Sequence, residues 1–153
     1  MKAYTAKDLL KRSMGFEKDA HKLYKNWAKA FSREPDVAAF WRDYSEDEST
    51  HLRLLKELRA RLSRDQLATL IECEVVGDTR RLLDSLKRDH KIEDLEQAIQ
   101  FANQLEHSEI NPLFITLVSF FETDGEATAA LRELLDIHIK KPINNFPKGF
   151  LIS

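Results

Sequence analysis

One segment of the sequence combines a long helical stripe with two ionisable residues at the centre of that stripe. Apolar or ligand-type side chains recur there every three or four residues, at Phe40, Tyr44, Glu48, His51, Leu55, Leu58 and Leu62. This spacing places all of them on one face of an α-helix, the face that packs against the rest of a protein. A glutamate is rarely buried without a partner. The fold must therefore place a compensating group beside Glu48.

The composition favours a single all-α domain. The chain has 153 residues, which is enough for one domain with its own hydrophobic core. Hydrophobic residues make up 42% of the chain, and it contains only four glycines and four prolines. A sheet needs many turns, and this chain has few turn-forming residues. We therefore expect a helical bundle.

Four long periodic segments predict four long helices, at residues 5–31, 36–62, 92–120 and 126–141. The first presents one apolar face with polar interruptions, made of Leu10, Ser13, Glu17, Ala20, Tyr24, Trp27 and Phe31. Pro35 separates the first two helices, because a proline disfavours helical geometry in the residue before it. Asp124 and Gly125 separate the last two.

The second and third predicted helices are joined by a long connection, residues 63–91, with a short apolar run at 67–71 and a short helix predicted at 79–88. A connection of this length lets the third helix start at the opposite end of the bundle. One long crossover of this kind is typical of ferritin-like four-helix bundles. We expect residues 1–141 to form that bundle, and the apolar tail, 142–153, to dock on the bundle or on a second subunit.

Charge and cysteine content exclude several classes of function. The net charge is −2 and the basic residues are scattered, so we expect no nucleic-acid partner. No signal-type or membrane-spanning apolar run occurs, so we expect a cytoplasmic protein with no membrane partner. Cys73 is the only cysteine, which excludes a disulfide framework and a cysteine-rich metal site.

Each predicted long helix carries ligand-type side chains on its apolar face. They are Glu17 on the first helix, Glu48 and His51 on the second, Glu106 and Glu109 on the third, and His138 on the fourth. Pairs of iron or manganese ions require oxygen-rich ligands with some nitrogen, and carboxylates can bridge two ions. A histidine three residues after a glutamate shares its helical face, so both can bind one metal. The pattern predicts a buried dinuclear site.

On these residues the chain resembles the rubrerythrin branch of the ferritin-like superfamily, without a rubredoxin domain. The resemblance lies in residues 15–24, 48–51 and 98–109. That family has a lone glutamate on helix one, Glu-x-x-His on helix two, Glu-x-x-Glu on helix three and a second Glu-x-x-His on helix four. The matching residues in this chain are Glu17, Glu48, His51, Glu106, Glu109 and His138.

The resemblance implies a role for each of these residues. Glu17 and Glu106 would be terminal ligands, Glu48 would bridge the metals, and Glu109 would be an extra or switching ligand. His51 and His138 would each complete one metal, giving two iron ions per chain, with manganese as the alternative metal.

The implied activity is a reaction with hydrogen peroxide, which is reduced to water, or with dioxygen. Oxidation or storage of iron at the same site is a further alternative. A single cysteine cannot hold a rubredoxin iron, so we expect a separate electron donor. The expected assembly is a homodimer.

One position departs from the family pattern. The glutamate expected three residues before His138, which bridges the two metals in the family, is replaced by Leu135. Asp136 cannot take its place, because one residue lies ~100° further around a helix. The site then binds two metals with Glu109 compensating, or one, or none. The alternative hypothesis is a ferritin-like bundle with a decayed site, serving as a helical interaction or dimerisation module.

The remaining polar residues near the stripes allow simpler interpretations. We interpret the other histidines as surface residues, namely His21, His90 and His107. Tyr24 and Tyr44 lie on the predicted buried faces near Glu17 and Glu48. They are either hydrogen-bond donors that orient carboxylates or core tyrosines with an unrelated partner.

Overall fold

The structure is a computed structural model, and it describes residues 2–74, 77–88 and 94–120. Two short strands are present, β1 (Lys2–Thr5) and β2 (Leu70–Cys73). The helices are α1 (Ala6–Ala30), α2 (Pro35–Arg61), α3 (Arg64–Ala68), α4 (Asp78–Arg88), α5 (Leu95–Leu105) and α6 (Asn111–Phe120). A π-helical turn, Glu106–Ile110, joins α5 to α6. The protein is a mostly helical bundle, as the composition predicts, and it is consistent with the ferritin-like bundle expected from the long crossover.

The antiparallel pair of α1 and α2 provides most of the hydrophobic core formed by the described residues. Both helices begin where the sequence signals a start. The Thr5 hydroxyl accepts a hydrogen bond from the Asp8 backbone N–H at 3.1 Å, which caps α1. Pro35 occupies the first turn of α2, where its missing N–H is not needed. The predicted helices at 5–31 and 36–62 are confirmed to within one residue at each end.

Helix α5, which begins the third long helix predicted from the sequence, runs antiparallel to α1. The ring of Trp27, near the end of α1, lies 6.0 Å from the ring of Phe101 in α5. Tyr24, one turn earlier in α1, contacts Glu106, which comes after Phe101 in the chain. Since α2 is also antiparallel to α1, α2 and α5 point the same way. The connection between them crosses the length of the bundle, as the sequence predicts.

The crossover contains a feature that the composition does not predict. Strand β2 pairs antiparallel with β1, with Tyr4 opposite Ile71 and Lys2 opposite Cys73. The scarcity of glycine and proline argues against hairpins, but these strands come from distant segments and need no hairpin turn. The pairing ties the crossover to the start of α1, where the backbone N–H of Ala6 also bonds to the carbonyl of Thr69 at 2.9 Å.

The short helix predicted at 79–88 is present as α4. It packs against α1, where a guanidinium nitrogen of Arg80 lies 3.0 Å from a carboxylate oxygen of Asp19. It also packs against the π turn, through a hydrogen bond between the hydroxyls of Thr79 and Ser108. Helix α4 of the crossover therefore packs against the junction between α5 and α6.

The π turn interrupts a segment that the sequence predicts as one helix over 92–120. Pro112 is the second residue after the turn. A proline has no N–H to donate to the carbonyl four residues earlier, here that of Ser108, and its ring crowds that carbonyl. The wider π turn relieves this conflict. Such turns are frequent at functional sites, and this one begins at Glu106.

The predicted fourth helix (126–141) and tail (142–153) lie outside the described residues, as do Leu135 and His138. Among the helices that the structure describes, none has the length and hydropathy of a membrane span.

Candidate metal centre

Three of the predicted ligands meet between α1 and α2. One carboxylate oxygen of Glu17, one of Glu48 and one ring nitrogen of His51 lie within 4.8 Å of one another. The Nδ1 atom of His51 is 3.5 Å from Oε2 of Glu17 and 3.9 Å from Oε2 of Glu48. These separations leave room for a cation that contacts all three side chains. We call these three residues the ligand cluster.

The ligand cluster is buried. The exposed fraction is 1% for Glu17, 0% for Glu48 and 2% for His51. None of the four carboxylate oxygens of Glu17 and Glu48 accepts a hydrogen bond within the described part of the chain. A buried carboxylate without a donor or a counter-charge is strongly unfavourable. The cluster is therefore incomplete without protons or a cation.

Glu106 brings a third carboxylate to the same region. It is 5% exposed, and its Oε1 atom accepts a hydrogen bond of 2.6 Å from the hydroxyl of Tyr24. Burial raises the pKa of Tyr24 well above its usual value, and the nearby Glu106 and Glu48 charges add to the rise. Tyr24 therefore keeps its proton and holds Glu106 in place. Of the two explanations that the sequence left open for Tyr24, the structure supports the orienting donor.

The carboxyl groups themselves have raised pKa values. Burial raises the pKa of Glu17 from 4.5 to about 8; the neighbouring Glu106 charge adds to the rise, and contact with Glu48 opposes it. Burial also raises the pKa of Glu48 well above its usual range, with further contributions from the charges of Glu106 and Glu17. In the metal-free protein, burial therefore favours the protonated form of both carboxyl groups.

This donor set fits a hard or borderline metal ion. Carboxylate oxygens with one imidazole nitrogen suit iron or manganese, whereas a site for a softer metal would contain thiolates. A divalent cation would replace the protons on Glu17 and Glu48 and satisfy their oxygens. The residues present therefore fit the metal that the sequence predicts, and their role as ligands stays a prediction.

The structure describes only some of the side chains that the sequence predicts as metal ligands. Glu17, Glu48 and His51 are brought together, and Glu106 lies beside them. The backbone of Glu109 is in the π turn, but its side chain is not among those described. His138 lies outside the described residues.

One interpretation from the sequence was wrong. His21 was predicted at the surface, but it is half-buried. Its Nδ1 atom lies 2.7 Å from the backbone carbonyl oxygen of Ser45 and 2.9 Å from the Ser45 hydroxyl oxygen. His21 shares a helical face with Glu17, and that spacing was the available signal. His107 is exposed, as predicted.

Comparison with known proteins identifies the family of this chain. The comparison with curated proteins and the comparison with solved structures each gave no match. The rubrerythrin family model matches residues 8–136, a span that includes Glu17, Glu48, His51 and Glu106. Because that span is most of the chain, the protein belongs to the rubrerythrin family.

Proposed function

We propose that the protein binds a pair of iron ions in the bundle and reduces hydrogen peroxide, or reacts with dioxygen, at that site. One observation carries the proposal. Four carboxylate oxygens of Glu17 and Glu48 are buried beside His51 and accept no hydrogen bond from the described residues. Membership of the rubrerythrin family supports iron as the metal.

In this proposal the side chains have distinct roles. Glu17 and Glu106 would hold the ions as terminal ligands, and Glu48 would be the bridging carboxylate. His51 and His138 would each provide a nitrogen ligand, and Glu109 would be the extra ligand. When bound, iron would supply the electrons for peroxide reduction, and a separate donor protein or reductant would restore them.

The surroundings control protons and water. Tyr24 donates to Glu106 and fixes its orientation. Burial of Glu17 and Glu48 excludes bulk water and favours the protonated form of both groups before the metal enters. Metal binding therefore releases protons, because the ligands bind in their ionised form. If these residues are the ligands, Fe(II) binding should release protons. The release can be measured as a fall in pH when Fe(II) is added to protein in weakly buffered solution.

The first experiment is anaerobic loading with Fe(II), followed by desalting and elemental analysis. We expect two iron ions per chain in the wild type and a clear loss of iron in Glu48→Gln. The matched control is Glu46→Gln, which changes an exposed glutamate two residues away on the same helix. Full iron content in Glu48→Gln would refute the assignment of Glu48.

Thermal unfolding gives a second measurement. Bound metal stabilises the folded protein by mass action, so Fe(II) should raise the melting temperature of the wild type and of Glu46→Gln, but not of Glu48→Gln. The loaded wild type is then mixed with hydrogen peroxide under anaerobic conditions. Stoichiometric loss of peroxide is expected, and iron-loaded protein that leaves peroxide intact would refute the activity.

Leu135 favours a second function, a bundle with a decayed site that serves as a helical interaction or dimerisation module. It predicts little iron in wild type and variant alike, and equal melting temperatures with and without Fe(II). A homodimer stays a prediction under either function, and sedimentation velocity tests it.

A further inference from the structure

A surface groove between α1, α2 and α3 has an apolar floor and a basic rim. Its volume is about 570 Å³, within the range of pockets that bind a ligand. The half-buried side chains of Met14, Leu52 and Leu67 form the floor. The cationic side chains on the rim are all exposed, and they are Lys11, Lys18, Lys56 and Arg59. We call this site the basic groove.

The positive charge of the basic groove has no counter-charge nearby. None of the residues that line it is acidic. Within the described part of the chain, none of its four cations forms an ion pair with a carboxylate. The groove therefore presents a positive surface to solvent, and such a surface attracts a negatively charged partner.

Two of these cations face each other across the basic groove. In the antiparallel pair of helices, Glu17 of α1 contacts His51 of α2. Lys11 lies six residues before Glu17, and Lys56 lies five residues after His51. The two lysines are therefore at about the same level on opposite sides of the groove. A carboxylate placed between them would interact with both and relieve their mutual repulsion.

The basic groove belongs to a longer row of cations on α1. All six lysines of this helix are exposed, and neighbours in the row are three, four or seven residues apart, so they share one helical face. They are Lys7, Lys11, Lys18, Lys22, Lys25 and Lys29. Asp8 and Asp19 each follow a lysine of the row directly and are therefore turned ~100° away from it. Lysines that are dispersed in the sequence are thus gathered on one side of the helix.

Gly15 leaves open space in the wall of the basic groove. It lies in the middle of α1, where a glycine destabilises the helix relative to alanine. Packing within the described structure does not require a glycine here, because no atom of a packed neighbour lies within 4 Å of the place where its Cβ would be. Glycine suits positions at which a ligand approaches the backbone closely. A side chain of a partner could therefore contact the backbone of α1 at this point.

These features favour an acidic protein segment as the occupant. From Lys7 to Lys29 the axis of α1 rises ~33 Å, and a standard protein interface buries about 800 Å² per partner, roughly 30 Å across. An apolar centre inside a polar rim is the usual arrangement of such interfaces. The chain's own residues 142–153 include Lys148 and no acidic residue, so their charge does not complement the groove.

We propose that the basic groove binds an acidic segment of a partner protein. Carboxylates of that segment lie between Lys11 and Lys56, and one of its apolar side chains occupies the open space over Gly15. The lysines of α1 beyond the groove attract further acidic residues of the same partner. This binding involves no metal and is separate from the proposed function.

The test is fluorescence anisotropy with short fluorescein-labelled probes at low ionic strength. The first probe is a peptide of alternating glutamate and aspartate with two leucines at its centre, and the second has serines in place of the leucines. The third is a single-stranded oligonucleotide of equal charge. The wild type should bind the leucine peptide about tenfold more tightly than either of the others, because only that peptide fills the apolar floor.

Three variants locate the binding. Lys56→Glu places a carboxylate on the rim and should weaken binding of the leucine peptide about tenfold. Arg53→Glu makes the same change of charge at an exposed position of α2 that does not line the groove, and its affinity should stay within about twofold of wild type. Gly15→Leu fills the open space and should abolish the preference for leucine over serine. It should also raise the melting temperature, because leucine is a better helix former than glycine, so weaker binding by this variant cannot come from unfolding.

Several results would overturn the proposed binding. They are equal affinity for the leucine and serine peptides, tighter binding of the oligonucleotide, no binding by the wild type, and equal losses in Lys56→Glu and Arg53→Glu. Sedimentation velocity of the wild type and Lys56→Glu tests a second copy of the chain as the occupant. A dimer that this substitution dissociates would assign the groove to self-association instead. Because no iron is added, failure of the iron-loading experiment leaves these results intact, and failure here leaves the proposed iron site intact.

Discussion

Replacing Glu17 by glutamine is expected to change how the stability of the metal-free protein depends on pH. Burial raises the pKa of Glu17 from 4.5 to about 8 in the folded protein. The folded state therefore retains a proton that the unfolded state releases. Below pH 4.5 both states are protonated and Glu17 costs nothing. As the pH rises from 4.5 to about 8, unfolding becomes progressively more favourable.

The size of the effect follows from the two pKa values. One pKa unit corresponds to about 1.4 kcal/mol, so the full window corresponds to about 5 kcal/mol and the interval from pH 5 to pH 8 to about 4 kcal/mol. A glutamine at this position has no proton to release. Between pH 5 and pH 8 the wild type should therefore lose about 4 kcal/mol more stability than Glu17→Gln.

The measurement is urea denaturation of chelator-treated protein at pH 5, 6, 7 and 8, followed by circular dichroism. The matched control is Glu57→Gln, an exposed glutamate on α2, which should follow the wild-type pH profile. A buried amide also lacks partners, so Glu17→Gln can be less stable at pH 5. The reasoning is refuted if its stability falls in parallel with that of the wild type up to pH 8.

Three further predictions concern single contacts, each measured by urea denaturation of the metal-free protein. Tyr24→Phe removes the 2.6 Å hydrogen bond to Glu106 and should destabilise by about 2 kcal/mol; an unchanged midpoint would contradict the orienting role. Thr5→Ala removes the cap on the Asp8 N–H and should cost about 1 kcal/mol, and no loss would show that the cap is dispensable. Leu55→Ala opens a cavity at a fully buried position and should cost about 3 kcal/mol; a loss below about 1 kcal/mol would mean that the core collapses around it.

The sequence predicted the parts of the fold that depend on local periodicity. The stripes on α1 and α2 are regular, with steps of three and four residues, so their buried faces and ends could be predicted closely. The same regularity placed Glu17, Glu48 and His51 at the middle of those faces. Antiparallel packing of two such helices then brings the three side chains together.

The features that were missed depend on contacts between distant residues. The pairing of β1 with β2 joins segments whose sequences carry no turn signal between them. The hydrogen bonds of His21 with Ser45 join α1 to α2, so the sequence pattern of either helix alone does not predict them. The π turn arises from a conflict between the helical pattern and Pro112. The spacing of apolar residues alone predicts one continuous helix across it.

The π turn at Glu106–Ile110 also affects how the fold tolerates the deletion of a single residue. A π turn is in effect an α-helix with one inserted residue, so deleting one residue there, such as the exposed His107, should restore α geometry without altering the faces of α5 and α6. The cost should be confined to Pro112, about 3 kcal/mol for a proline inside a helix. A deletion in the middle of α1 would instead rotate everything after it by ~100° and turn Glu17 away from α2. Among the described helices, the segment that carries Glu106 is therefore the one in which this chain could lose a residue while keeping its bundle.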